Sequence, residues 1–247
     1  MKFKLEYLIL PIMIYISEVR NNCVAERRAS YPYNIPSISN LTDLKLRKEV
    51  TFIIGENGVG KSTLIEAIAV NAGFNPEGGS RNFNFSTKDS HSSLFEDIQL
   101  IRTGYRNRDG FFLRAESFYN VATAVDDYQA QESYGGSLHE CSHGESFLSL
   151  LHHRLYGQGL YIFDEPESAL SIVSQMNMLV RIQQLVEKNS QFVIATHSPI
   201  LMAYPDADIF QVSMEGIQLI SYEDTEQYRL TKYFMNNRER MLQELGL

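Results

Sequence analysis

Gly55-Glu56-Asn57-Gly58-Val59-Gly60-Lys61-Ser62-Thr63 constrains this chain more than any other stretch, because a glycine-rich loop closed by lysine and two hydroxyls needs a strand before it and a helix after it. Val50-Thr51-Phe52-Ile53-Ile54 is apolar and β-branched enough for a buried parallel strand, and Leu64-Ile65-Glu66-Ala67-Ile68-Ala69 reads as a helix. In that setting the glycines turn successive backbone N–H groups inward around phosphates, and the helix points its positive end at the same anion. Lys61 then reaches the β- and γ-phosphates and Ser62 ligates Mg²⁺. A bare glycine turn is the alternative; the pattern arises by chance in about one chain of this size in a hundred.

The rest of the composition narrows the class. The chain has 247 residues, enough for one α/β domain with a small subdomain attached, and 44% hydrophobic with 21% charged residues is ordinary for a globular protein. A formal charge of −8 argues against a surface that is basic all over, so any nucleic-acid contact has to be a local patch. Two cysteines, Cys23 and Cys141, give no disulfide framework or zinc site, which fits a cytoplasmic protein. Residues 1–13 read as an N-terminal extension. Their apolar run, Leu8 to Ile16, is too short for a bilayer, is broken by Pro11 and has no small-residue cleavage site after it; Met13 is itself a possible start.

Taken in order, residues 14–54 read as a strand-rich antiparallel entry layer. An edge strand is expected near 14–20, a second near Tyr31 to Ile38, which Pro32 and Pro36 confine to an edge or a loop, and a third near Leu41 to Leu46. The loop and its helix follow, stopped by Asn75-Pro76-Glu77-Gly78-Gly79, and residues 81–93 read as a surface loop. Ile98 to Arg102 and Phe111 to Arg114 read as a hairpin across Asn107 to Gly110. Residues 117–158 read as a small helical insert, in which Ser142 starts a helix. Leu160 to Glu165 and Phe192 to Thr196 are buried strands flanking a helix near 172–187. The tail has a hairpin from Phe210 to Ile220 turning at Glu215-Gly216, then amphipathic helical sequence from Asp224 to Leu245. The fold class is therefore α/β, with a mostly parallel central sheet, and residues 14–245 form a single domain.

Chemistry gathers at strand ends, where open α/β sheets bind ligands. Asp164 closes an apolar strand, where a charge needs a partner, and Mg²⁺ shared with Ser62 supplies one. Glu165 is placed to activate a water against a γ-phosphate. A pair of solvated carboxylates is the plainer reading. His197 ends the next apolar strand, either as a γ-phosphate sensor or as a satisfied core histidine. Ser142-His143-Gly144-Glu145 opens a helix, either as a second anion site serving a partner's nucleotide or as an ordinary cap.

The order of these four segments resembles the ABC-type ATPase domain, with its Walker A, signature, Walker B and switch histidine. Within that class Gly-Glu-Asn-Gly-x-Gly-Lys-Ser-Thr and Asp-Glu-Pro-Glu are similar to the SMC, RecF and related chromosome-maintenance ATPases. Gly110 to Ser117 and Ala195 to Leu201 resemble a bacterial group of stand-alone, single-domain AAA/ABC-type ATPases. The resemblance covers roughly residues 14–245. It implies a P-loop fold that binds ATP and Mg²⁺, with Lys61, Glu165 and His197 catalytic. ATP would contact residues 56–63 and, from the partner of a head-to-tail homodimer, Ser142, Gly144 and Glu145; Ser62 and Asp164 would hold the metal.

Some positions depart from the family. His143 replaces the first glycine of the signature pair, Ser171 stands where the D-loop ends in aspartate, and Glu116 is the stand-in for a Q-loop glutamine. Tyr31 or Tyr33 is the candidate for stacking on adenine. The implied partner is DNA or another protein, with Arg102, Arg106, Arg108 and Arg114 as a candidate patch. The alternative is the energising subunit of a membrane transporter, although neither a membrane span nor a coupling loop is recognisable.

Overall fold

The computed structural model describes residues 12–27, 29–81, 92–137, 139 and 143–247. Among the described residues nine strands run β1 Ile16–Asn21, β2 Asp43–Lys45, β3 Val50–Ile54, β4 Ile98–Arg102, β5 Asp109–Arg114, β6 Gly159–Asp164, β7 Gln191–Ala195, β8 Asp208–Ser213 and β9 Gly216–Ile220. Among them lie α1 Pro36–Ser39, α2 Lys61–Asn71, α3 Phe118–Asp127, α4 His143–Ser149, α5 Ile172–Val186, α6 Glu226–Asn236 and α7 Arg238–Glu244. A π-turn, Leu150–Arg154, continues α4.

The central sheet has the order β5-β6-β7-β3-β8-β9, parallel except for the last pair. Its middle strands read as unbroken apolar runs because both faces are covered. Alternation sends Phe52, Phe111, Phe163 and Phe192 to one face, where Val121, Phe147, Met178 and Ile182 of α3, α4 and α5 pack on them. Ile53, Phe112, Ile162 and Val193 go to the other, against Leu64 and Ile68 of α2. Each buried aromatic contributes about 1.5–3 kcal/mol relative to exposure.

That second face also carries a separate antiparallel sheet of order β2-β1-β4. A shared apolar core packs the two sheets together, and Gln191 bonds across the seam. Gln191 Oε1 accepts from the backbone N–H groups of Tyr15 and Ile16 at 2.8 and 2.9 Å, and its Nε2 donates to the Ile16 carbonyl at 2.8 Å.

Several expectations are corrected. The first strand lies between β2 and β4, so it is central in its sheet and not an edge. Residues 31–38 form turns and the start of α1, because Pro32 and Pro36 remove ladder donors. The expected hairpin does not exist: β4 pairs antiparallel with β1, whereas β5 pairs parallel with β6. The reason is burial, since Phe111, Phe112 and Leu113 are all fully covered and a hairpin strand would leave one face open. The tail hairpin turns at Met214-Glu215, and the following helix divides at Asn237 into α6 and α7. Among the described residues no helix is long and apolar enough to cross a membrane.

Candidate functional site

The register sets the site. Arg114 pairs with Asp164, Asp164 with Ala195, and Ala195 with Ile53, so four strands end side by side. The loop after β3 folds back tightly at Gly55, whose φ is +151° and where a Cβ would fall 2.3 Å from the Val212 carbonyl oxygen. Lys61 is buried, and its Nζ donates to the carbonyls of Gly55 and Glu56 at 2.9 and 2.7 Å, which holds the ammonium under the loop. Burial pulls that ammonium below its ordinary pKa, opposed by Glu165, Asp164 and Glu167.

A cavity of about 290 Å³ is lined by Tyr31, Asn57, Gly60, Lys61, Thr63 and Glu165, with Gly58 and Ser62 at its wall. A second, of about 190 Å³, adjoins it through Ser62 and Glu165 and is lined by Arg114, Glu116, Asp164 and Ser168. Between them the Ser62 hydroxyl donates to Asp164 Oδ1 at 3.1 Å. Asp164 is 5% exposed, and burial pushes its carboxyl up to about 6, with Arg114 and Ser62 acting in the other direction. A hydroxyl and a buried carboxyl whose charge is poorly compensated are the donors that a hard divalent cation such as Mg²⁺ takes.

Glu165 sits in the left-handed region, at φ 49° and ψ 52°, fixed by its N–H to the Ala195 carbonyl and by buried Pro166. Such backbone costs about 1–3 kcal/mol and is concentrated at functional sites. It puts the carboxylate in the loop cavity, with Oε1 3.5 Å from His197 Nε2. That buried imidazole nitrogen has no hydrogen-bond partner among the described residues, which disfavours the satisfied core histidine.

Glu56 is exposed and meets Val59 in a separate hollow with Glu226 and Gln227 at the start of α6. Gly144 opens α4, where a Cβ would lie 3.0 Å from the Ala169 carbonyl, and Glu145 is exposed. Neither lines the two cavities around the loop. Ser142 lies outside the described residues. Of the two tyrosines, Tyr31 is 65% exposed at the cavity rim, whereas Tyr33 is a core residue whose hydroxyl bonds Asp97. The sequence-level patch also loses a member, since Arg114 is drawn inward.

Residues 33–134 match the family model described as an AAA domain. The mixed α/β fold and the loop are consistent with an ABC/SMC-like P-loop ATPase. The chain is 24% identical over 200 residues to the energy-coupling factor transporter ATP-binding protein EcfA2 of Methanospirillum hungatei, a match covering 72% of this chain and 49% of that one. It is 37% identical over 173 residues to an uncharacterized ABC transporter ATP-binding protein of Haemophilus influenzae, covering 61% and 65%. The chain therefore spans about half the length of the first relative and less than two thirds of the second. Among solved structures it is similar to cbiO1 from Clostridium perfringens (17% identity, TM-score 0.49, 95% and 100% covered) and to the SMC head domain from Thermotoga maritima (14%, 0.46, 84% and 98%).

Three groups around these cavities were not assigned to the site from sequence. Arg114 Nη1 pairs with Glu66 Oε2 at 2.6 Å while its Nε stands 3.8 Å from Asp164 Oδ2. Glu66 also accepts from the Ser92 N–H at 2.8 Å, so a polar chain leads from Asp164 through α2 to residue 92. Glu167 accepts from the His197 N–H at 2.6 Å and fixes the chain where β7 ends. Only Glu167 carried a signal, as the last residue of Asp-Glu-Pro-Glu.

Proposed function

We propose that this chain is a Mg²⁺-dependent ATP hydrolase of the cytoplasm. The reading rests above all on the 3.1 Å contact between Ser62 and Asp164, made across two strand ends beside Lys61 and Glu165. Lys61 holds the β- and γ-phosphates, Ser62 and Asp164 hold the metal, and Glu165 takes a proton from the attacking water while His197 orients it. Bound magnesium would neutralise charge on the phosphoryl oxygens. Because Gly144 and Glu145 line neither loop cavity, they would act on the nucleotide of a second copy, and ATP would close a head-to-tail homodimer that hydrolysis reopens.

Phosphate release measured with and without Mg²⁺ tests the hydrolase. Glu165→Gln is expected to abolish turnover and keep ATP bound; turnover at the wild-type rate removes Glu165 from the role of base.

The work done by this switch is read as DNA maintenance or defence, from the motifs shared with SMC- and RecF-like ATPases. DNA-stimulated hydrolysis that weakens steeply with salt is the expected result, and indifference to DNA counts against it. Both of these relatives are named as transporter ATP-binding proteins, which favours the second reading, an energising subunit of a membrane transporter. Co-purification with a membrane protein would select it.

A further inference from the structure

A large cavity lies at the opposite end of the sheet from the phosphate loop. It measures about 710 Å³ and is lined by Arg108, Arg154, Tyr156, Gln158, Lys188 and Asn189, among others. Asp109 and Gly159, which begin β5 and β6, mark this end, and five residues of strand, roughly 16 Å, separate Gly159 from Asp164.

Its charge is positive and only partly compensated. Arg154 is paired with Asp109 at 2.8 Å, and Asp109 also accepts from the Tyr161 hydroxyl at 2.8 Å, so that acid is fully engaged inside the fold. Arg108 and Lys188 are exposed and make no side-chain ion pair among the described residues. Tyr156 is 61% exposed, with the Arg154 guanidinium 5.8 Å from its ring centroid, which fixes one end of an aromatic surface beside the cations.

The backbone here is unusual as well. Gln158 and Asn189 hold φ of 49° and 59°, and both line this cavity. At Asn189 this is the ordinary left-handed close of a helix, just past α5, whereas at Gln158 it is uncommon for a residue with a side chain. This backbone brings two carboxamides, able to donate and accept, to the same wall as the cations.

We propose that this cleft is a second site for nucleotide phosphate, with the phosphate held by Arg108 and Lys188 and the base lying on Tyr156. The volume suits one nucleotide, either free or as a unit of a single strand. This site is independent of the hydrolytic reading.

The test is fluorescence anisotropy of a short labelled oligothymidylate, with excess non-hydrolysable ATP analogue filling the phosphate loop. Saturable binding is expected, weakened about tenfold in Arg108→Gln/Lys188→Gln. The slope of log K against log salt should become shallower by about 0.7, the share of the one phosphate that the two cations hold on a single strand. Hydrolysis by the double variant should equal that of the wild type. Displacement by thymidine monophosphate identifies a free-nucleotide site, and displacement by unlabelled strand alone identifies a strand site; either supports the proposal. Tyr156→Ala should weaken binding while Tyr156→Phe keeps it, a comparison at an exposed position that does not depend on the double variant folding. No binding, or binding that the double variant retains with an unchanged salt slope, overturns the proposal. Binding by a protein that hydrolyses nothing would uphold this site and remove the hydrolytic reading instead.

Discussion

Asp164 is stabilising to the site and destabilising to the empty fold. Its carboxyl is pushed up from 3.8 to about 6 by burial, so the folded chain holds that proton more tightly than the unfolded one. Stability therefore falls as pH rises from about 4 to about 6, and the deficit is complete above that. Asp164→Asn removes the buried charge and keeps an acceptor for Ser62. Urea unfolding of the nucleotide-free protein at about pH 7.5 should show the variant more stable by roughly 2 kcal/mol, an advantage that fades toward pH 4. Mg²⁺-dependent phosphate release should be lost in the same variant. At Glu165, Gln removes the base and keeps the size, so ATP affinity by equilibrium dialysis should stay within about threefold of wild type while turnover drops by at least about 10²-fold. The gathering of Lys61, Ser62, Asp164 and Glu165 at one end of the sheet could be read directly, because each follows an apolar strand at a fixed offset. Arg114 could not: its partner Glu66 is distant in sequence, and nothing in the string Leu-Arg-Ala-Glu says that the guanidinium turns inward.

At the scale of elements, Gln191 bonds across the seam between the two sheets. Gln191→Leu leaves two N–H groups and a carbonyl of β1 and its approach without partners, an expected loss on the order of 3 kcal/mol in denaturant unfolding, with hydrolysis per folded molecule unchanged. The parallel strands were legible because burial on both faces makes β3, β6 and β7 uniformly apolar. The entry layer was legible only as strand-rich. A short run such as Ile98 to Arg102 carries no mark of which sheet it joins, and adjacency to Phe111 suggested a hairpin that nonlocal pairing overrides. Residues 31–38 show the converse, where two prolines outweighed an otherwise strand-like composition.

For the molecule as a whole, the proposed switch predicts a change of mass. Glu165→Gln with ATP and Mg²⁺ should sediment as a dimer, and the wild type with ADP as a monomer. Gly144→Val should reduce that dimer without changing the monomer's affinity for nucleotide, because its side chain would push α4 away from the Ala169 carbonyl 3.0 Å from the Cβ position. Sequence gave the order of the segments but not their division between one copy and the next, since a helix start such as residues 142–145 reads alike in either role. One arrangement described above also governs how the chain is made. β1 is fastened to Gln191, 175 residues further along, and β3 pairs only with β7 and β8. A ribosome adding about 5–20 residues per second would leave those early apolar segments exposed for roughly 10–35 seconds before their partners emerge. Nascent chains of this protein should therefore engage chaperones until the final third has been translated.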